Sequence, residues 1–168
     1  LIGERINGMF KDVAKAIKEK DKTIIQELAL EQVSCKANAL DVNVGPASSN
    51  PKEAMKWLVE TIKEVTDTTL AIDTTKQDVM ELGLSLCKSK PIINSVNANE
   101  EKMKSLFSLA KKYNASIIGL TMDKAGIPKD SEGRMELAMK IVASCVEYGI
   151  DTNELYLDAV ILPVNVAQ

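Results

Sequence analysis

The chain has 168 residues, enough for one domain, and 45% of them are apolar, enough for a substantial core. A net charge of −3 without a basic run argues against a nucleic-acid partner, and no apolar stretch reaches the roughly 18–20 residues of a membrane span. The sequence contains no histidine, which excludes Ser-His-Asp triads, Cys-His pairs and histidine-ligated zinc from this chain. Three scattered cysteines form no disulfide framework or metal motif; we expect a reducing cytoplasm, with Cys35 and Cys145 in the core.

Apolar runs typical of strands alternate with helical patterns along the chain. The predicted strands are residues 2–6, 39–44, 69–73, 91–94, 116–121 and 155–158. The first predicted helix begins near residue 11. Five more helices are predicted over residues 21–37, 51–65, 77–87, 100–112 and 130–149.

Several helix boundaries carry recognisable capping residues. Asp21, Asn99 and Asp130 stand where an N-cap side chain is needed, and Asn50 is followed by a proline at the first helical position. Gly149 suits the residue that ends the last helix.

Strands separated by single helices predict right-handed βαβ units and a parallel sheet. Two architectures fit, a doubly wound open sheet and a (β/α)8 barrel of the TIM type. Residues 3–8 lack the glycine spacing of a nucleotide-binding first turn, and polar residues end nearly every strand, which favours the barrel. Such a barrel has eight strands, so we expect residues 1–168 to form one incomplete barrel domain of about six βα units, with the last two strands absent.

Asp or Asn ends most of the predicted strands. In a parallel barrel these ends converge on one rim, where carboxylates and amides can hydrogen-bond a flat, nitrogen-rich ligand. Capping of the following loop is the alternative role for a strand-end aspartate. The candidate residues are Asp41, Asn43, Asp73, Asn94 and Asp158, with Thr121 at the fifth strand.

Two further predictions concern packing and ion pairs. Arg5 is expected to pair with Glu4 or Asp41. The helically spaced methionines are expected to fill the core; they are Met9, Met55, Met135 and Met139.

Several segments together resemble the pterin-binding family, most closely its methyltetrahydrofolate:corrinoid/iron–sulfur protein methyltransferases. The resemblance runs the whole length of the chain. It is carried by residues 1–8, 40–45, 72–75, 92–95, 119–122, 126–130 and 157–163.

The resemblance implies a (β/α)8 barrel that holds the pterin ring with Asp73, Asn94 and Asp158, while Asp41, Asn43 and Met122 take lesser binding roles. Methyltetrahydrofolate would be the methyl donor, and its N5-methyl group would pass to the cobalt of a corrinoid carried by a separate corrinoid iron–sulfur protein. The resemblance suggests a cytoplasmic homodimer with no metal of its own. The asparagine that family members place near N5 is expected beyond Gln168, so the catalytic residue is not assigned.

Three alternatives stay open. The chain could be the methyltetrahydrofolate-binding module of a cobalamin-dependent methionine synthase, or a pterin-binding fragment without catalytic activity. It could also be a generic α/β-barrel enzyme that uses Asp and Lys on a sugar or organic acid. A dihydropteroate synthase is a weaker match, because the glycine-rich second-strand signature of those enzymes is missing from residues 42–46.

Overall fold

The computed structural model describes residues 1–163, in which six strands alternate with helices. The strands are β1 (Ile2–Asn7), β2 (Ala39–Asn43), β3 (Thr69–Asp73), β4 (Ile92–Asn97), β5 (Ser116–Leu120) and β6 (Leu155–Asp158). The helices are α1 (Lys11–Glu19), α2 (Lys22–Ser34), α3 (Pro51–Lys63), α4 (Gln77–Leu86), α5 (Glu100–Tyr113) and α6 (Ser131–Glu147). The predicted type of every element is confirmed. The largest boundary differences are three residues: α2 ends at Ser34, before the left-handed residue Lys36, and β4 continues past Asn94 to Asn97.

The chain divides into two compact units, and the division falls within β4 after Asn94. In the first unit β1 to β4 pair in sequence order, each parallel to the next. β2, β3 and the first residues of β4 are largely apolar, as expected for strands of a parallel sheet that helices cover on its faces. Fully buried side chains from strands and helices form the core of this unit; the largest are Ile6, Ile17, Ile25, Leu40, Met55, Leu58, Ile62, Ile72, Met80 and Ile93.

The second unit contains α5, β5, α6 and β6, and β5 pairs parallel to β6. Its core includes Phe107, Ile117, Ile141 and Cys145, all fully buried, and the Phe107 ring stacks on Tyr148 with 5.8 Å between ring centroids. Burial of these side chains is the main force that holds helices on the strands.

The predicted N-caps are confirmed. Asp21, Asn50, Asn99 and Asp130 each accept a hydrogen bond from a backbone N–H in the first turn of their helix. Gly149 follows the last turn of α6 with φ of +67°, a left-handed conformation that glycine adopts without strain.

Some packing predictions are wrong. Met55 is buried, but Met9, Met135 and Met139 are 60–71% exposed, and Cys35 is exposed while Cys145 is buried. Helical periodicity shows which residues share a face, but whether another element covers that face is decided by the tertiary structure.

Within residues 1–163 no helix is both long and apolar enough to cross a bilayer. Over the same residues, no group of three or more acidic or cysteine side chains is arranged to hold a metal ion.

Candidate functional site

Four polar side chains lie in one row, at the carboxyl ends of β1, β2 and β3 and in the middle of β4. In the parallel register Asn7 lies beside Asn43, Asn43 beside Asp73, and Asp73 beside Asn94. Side chains in register on neighbouring strands point to the same face of a sheet, as does Asp41, two residues before Asn43. The first unit therefore collects two carboxylates and several amides at one edge.

Two hydrogen bonds each join one asparagine amide to one aspartate carboxylate. Asn43 Nδ2 donates to Asp73 Oδ2 at 2.5 Å, and Asn94 Nδ2 donates to Asp41 Oδ1 at 2.8 Å. These bonds use Oδ2 of Asp73 and Nδ2 of Asn94, so Oδ1 of each side chain takes no part in them. Each amide thus gives an N–H to a carboxylate.

Burial sets the electrostatics of the two aspartates. Asp41 is 3% exposed, and desolvation raises its pKa to about 7. The hydrogen bond from Asn94 lowers this pKa, and the negative charges of Asp73 and Glu4 raise it further. Desolvation also raises the pKa of Asp73, opposed by its hydrogen bond from Asn43 and reinforced by the charge of Glu4. This edge of the sheet therefore favours ligands that donate hydrogen bonds or carry positive character.

Arg5 does not neutralise this cluster. Its Nη2 atom bonds Asp12 Oδ2 at 2.5 Å, and its guanidinium lies over the Phe10 ring at 4.4 Å from the centroid. The predicted pairing of Arg5 with Glu4 or Asp41 is therefore wrong. Glu4 and Arg5 are adjacent on a strand and point to opposite faces, and Asp41 is buried at 3% exposure.

Two glycines bring the first two rim loops together. The Gly8 N–H donates to the Asn43 carbonyl at 2.9 Å, and a Cβ on Gly8 would stand 1.9 Å from the Val44 carbonyl oxygen. Gly45, with φ of +54°, donates its N–H to Asn43 Oδ1 at 2.6 Å. Asn43 is consequently held at both ends of its amide, and this fixes the carboxylate of Asp73.

A pocket of about 360 Å³ opens beside the Asn43–Asp73 pair. Its walls come from the loop after β2 and the loop after β3, and they carry hydroxyl groups and one lysine, Lys76. Neither this pocket nor Lys76 was anticipated from the sequence, because a strand-end pattern does not show how two loops meet.

In the second unit, Asp158 and Met122 take part in local hydrogen bonds. The Asp158 carbonyl accepts from the N–H and the hydroxyl of Thr121, at 3.0 and 3.1 Å, and its Oδ1 accepts from Val160 N at 2.7 Å. The last bond is the loop-capping role considered above as the alternative. The Met122 carbonyl accepts from Ala98 N at 2.9 Å. Ligand binding by either residue stays a prediction.

Comparison with known proteins identifies the class. The pterin binding enzyme family matches residues 7–167, and the chain belongs to that family. It is 30% identical over 167 residues to the methylcorrinoid:tetrahydrofolate methyltransferase of Eubacterium limosum, covering 98% of this chain and 62% of that protein. It is 25% identical over 175 residues to the methionine synthase of Mycobacterium leprae, covering all of this chain and 14% of that protein.

The structural comparison confirms the fold class. The crystal structure of 7,8-dihydropteroate synthase from Vibrio fischeri ES114 superposes with a TM-score of 0.61 at 17% identity, covering 94% of this chain and 59% of that one. At this identity the likeness shows the fold alone, which is the TIM-barrel type predicted from the sequence. The chain spans less than two thirds of the length of each of these proteins.

Proposed function

We propose that the protein carrying this chain binds a tetrahydrofolate at the Asp73–Asn94 edge and transfers a methyl group between N5 of the pterin and the cobalt of a corrinoid protein. The observation that carries this proposal is the row of carboxylates and amides that β2, β3 and β4 bring together. Membership of the pterin binding family and the methyltransferase name of the 30% identical relative support it.

The row has the chemistry that a reduced pterin requires. The pyrimidine edge of the pterin presents neighbouring N–H donors, which a carboxylate can accept in parallel, and a carbonyl acceptor. Asp73 Oδ1 and Asn94 Oδ1 supply acceptors, and the second Asn94 N–H supplies a donor. Asp158 and Met122 remain additional ligand residues by prediction from the resemblance.

Methyl transfer can run in either direction, from the pterin to the corrinoid or from the corrinoid to the pterin. The sequence resemblance predicts transfer from methyltetrahydrofolate to the corrinoid, whereas the relative from Eubacterium limosum is named for methylcorrinoid and tetrahydrofolate in the opposite order. Both directions cross the same transition state, so one site complementary to it serves both. We therefore propose that substrate concentrations, rather than residues of this chain, set the direction.

The chain's own contribution is to bind and orient the pterin. Methyl transfer from N5 requires that nitrogen to gain a proton or a hydrogen bond that strengthens in the transition state. The corrinoid, carried by a separate protein, supplies the cobalt that accepts or donates the methyl group. Acidic groups at the pterin edge, Asp73 above all, hold the ring in one orientation, which presents N5 consistently to that partner.

The binding test is titration calorimetry of methyltetrahydrofolate into the full-length protein. Asp73→Asn is expected to weaken binding by about 1–3 kcal/mol, a factor of roughly 5–150 in Kd, because one ligand N–H loses its charged acceptor. Asp78→Asn is the matched control, since Asp78 is an exposed carboxylate that pairs with Lys52 and is not a member of this row. Absence of binding to the wild type, or equal affinities of the Asp73 and Asp78 variants, would refute the proposal.

Turnover separates an enzyme from a binding module. The absorbance change of free cob(I)alamin mixed with protein and methyltetrahydrofolate reports methyl transfer to cobalt, and the reverse mixture reports the other direction. Binding without transfer in either direction would favour the methionine-synthase type module or the non-catalytic pterin binder. Homodimer formation and a cytoplasmic location stay predictions.

A further inference from the structure

We propose that Asp41 is a positioning residue that decides which end of the Asn94 amide faces the ligand. The inference rests on the proposed function, because it assigns Asn94 to the pterin. Asp41 itself is excluded from ligand contact by its burial, at 3% exposure.

The geometry gives Asp41 this role. Its Oδ1 accepts from Asn94 Nδ2 at 2.8 Å. Asp41 lies on β2 and Asn94 on β4, and β3 lies between these strands and pairs with both. The two ends of an asparagine amide are nearly equal in shape, so only hydrogen-bond partners distinguish them. An ionised carboxylate only accepts, so it holds the NH2 group of Asn94 towards itself and turns Oδ1 away.

The neighbouring pair is built on the same principle. Asn43 donates to Asp73 while its Oδ1 is held by the N–H of Gly45, so that amide is also locked in one orientation. One buried acid and one held amide thus lie behind the two groups that the proposed function assigns to the ligand. If the Asn94 amide were reversed, its NH2 group would face an N–H donor of the pterin. Neither donor would then have an acceptor, and the protein would bind the pterin less tightly.

Every charged group that acts on Asp41 is acidic. Asp73 from β3 and Glu4 from β1 raise its pKa, and Asn94 from β4 opposes them by its hydrogen bond. Neutralising Asp41 without removing its oxygen therefore tests the acceptor separately from the charge. Asp41→Asn keeps an oxygen at this position, whereas Asp41→Leu removes the acceptor and keeps the branch point and the number of side-chain heavy atoms.

The experiment is methyltetrahydrofolate titration into the full-length protein at fixed pH. Asp41→Asn is expected to keep Kd within about threefold of the wild type, and Asp41→Leu to raise Kd about tenfold or more. In an Asn94→Ala background Asp41→Leu is expected to have no further effect, because Asp41 acts through Asn94. If Asp41→Leu does not fold, Asp41→Ser, whose hydroxyl is too short to reach Asn94, takes its place with the same expectation.

A spectroscopic readout tests the contact directly. The side-chain amide resonances of Asn94 are expected to move with pH through the titration of Asp41 in the wild type and to stay fixed in Asp41→Asn. Wild-type affinity in Asp41→Leu, or a loss that persists unchanged in the Asn94→Ala background, would overturn the positioning role. If the wild type binds no pterin, the proposed function fails instead, and the Asn94 resonances still report whether Asp41 orients the amide.

Discussion

The buried carboxyl of Asp41 makes the stability of this protein pH-dependent in a direction opposite to that of a salt-bridged aspartate. Its pKa is raised from 3.8 to about 7 in the folded state. Between those values the folded protein holds a proton that the unfolded chain releases, so the unfolding free energy falls as pH rises and the contribution is lost as pH passes through about 7. At about 1.4 kcal/mol per pKa unit, the Asp41 contribution changes by about 2–3 kcal/mol from pH 5 to pH 8.

Asp41→Asn removes this titration and keeps an acceptor for Asn94. The expected result is a variant whose stability relative to the wild type improves by about 2–3 kcal/mol on going from pH 5 to pH 8. Urea denaturation followed by circular dichroism at several pH values in this range measures it, because the difference between the two proteins cancels the titration of groups that do not interact with Asp41.

Asp12→Asn is the matched control. The hydrogen bond from Arg5 lowers the pKa of Asp12 below its ordinary value, so Asp12 is ionised in both folded and unfolded states throughout this range. Its replacement is expected to leave the pH slope unchanged. Parallel curves for wild type and Asp41→Asn from pH 5 to pH 8 would refute the argument that burial, rather than hydrogen bonding, dominates at Asp41.

Three further substitutions test the fold around the site, each by urea denaturation. Thr61→Val is expected to raise stability by about 1 kcal/mol, since the Thr61 hydroxyl is fully buried without a hydrogen-bond partner in the described chain; a loss would contradict this. Gly8→Ala should cost about 1–3 kcal/mol, because its Cβ would overlap the Val44 carbonyl, and unchanged stability would show that the loop yields freely. Asp130→Ala should cost about 1 kcal/mol by removing the cap on Gly133 N at 2.8 Å; a neutral result would mean that α6 does not depend on its cap.

Local sequence patterns were sufficient for the elements of this fold. Residues 69–73 and 155–158 were bounded correctly because a short apolar run ended by a polar residue has few alternatives to a parallel strand. The run is buried in β3, whereas Tyr156 and Leu157 of β6 are exposed, so the pattern predicts the strand and not its burial. Capping residues such as Asn50 and Asn99 act on the next few backbone N–H groups, so their effect is also local. The fold class followed from this alternation, and the polar strand ends and the missing glycine-rich first turn favoured the barrel type, which the resemblance also implies.

Packing and pairing could not be derived in the same way. Met135 and Met139 share a helix face with the spacing of core residues, yet both are exposed. Arg5 has several acidic residues within reach in sequence, and only the turn from β1 into α1 shows that Asp12 is its partner. Both outcomes depend on which neighbours arrive from elsewhere in the chain.

The sequence by itself determined that polar residues end the strands and that their chemistry suits a flat, nitrogen-rich ligand. Only the tertiary structure decided which of these polar side chains contact one another. Asn94 donates to Asp41, 53 residues away, and the two are brought together by the parallel register of β2, β3 and β4. The raised pKa of Asp41 has the same origin, because desolvation depends on how all the surrounding strands exclude water and not on the residues beside Asp41 in the chain.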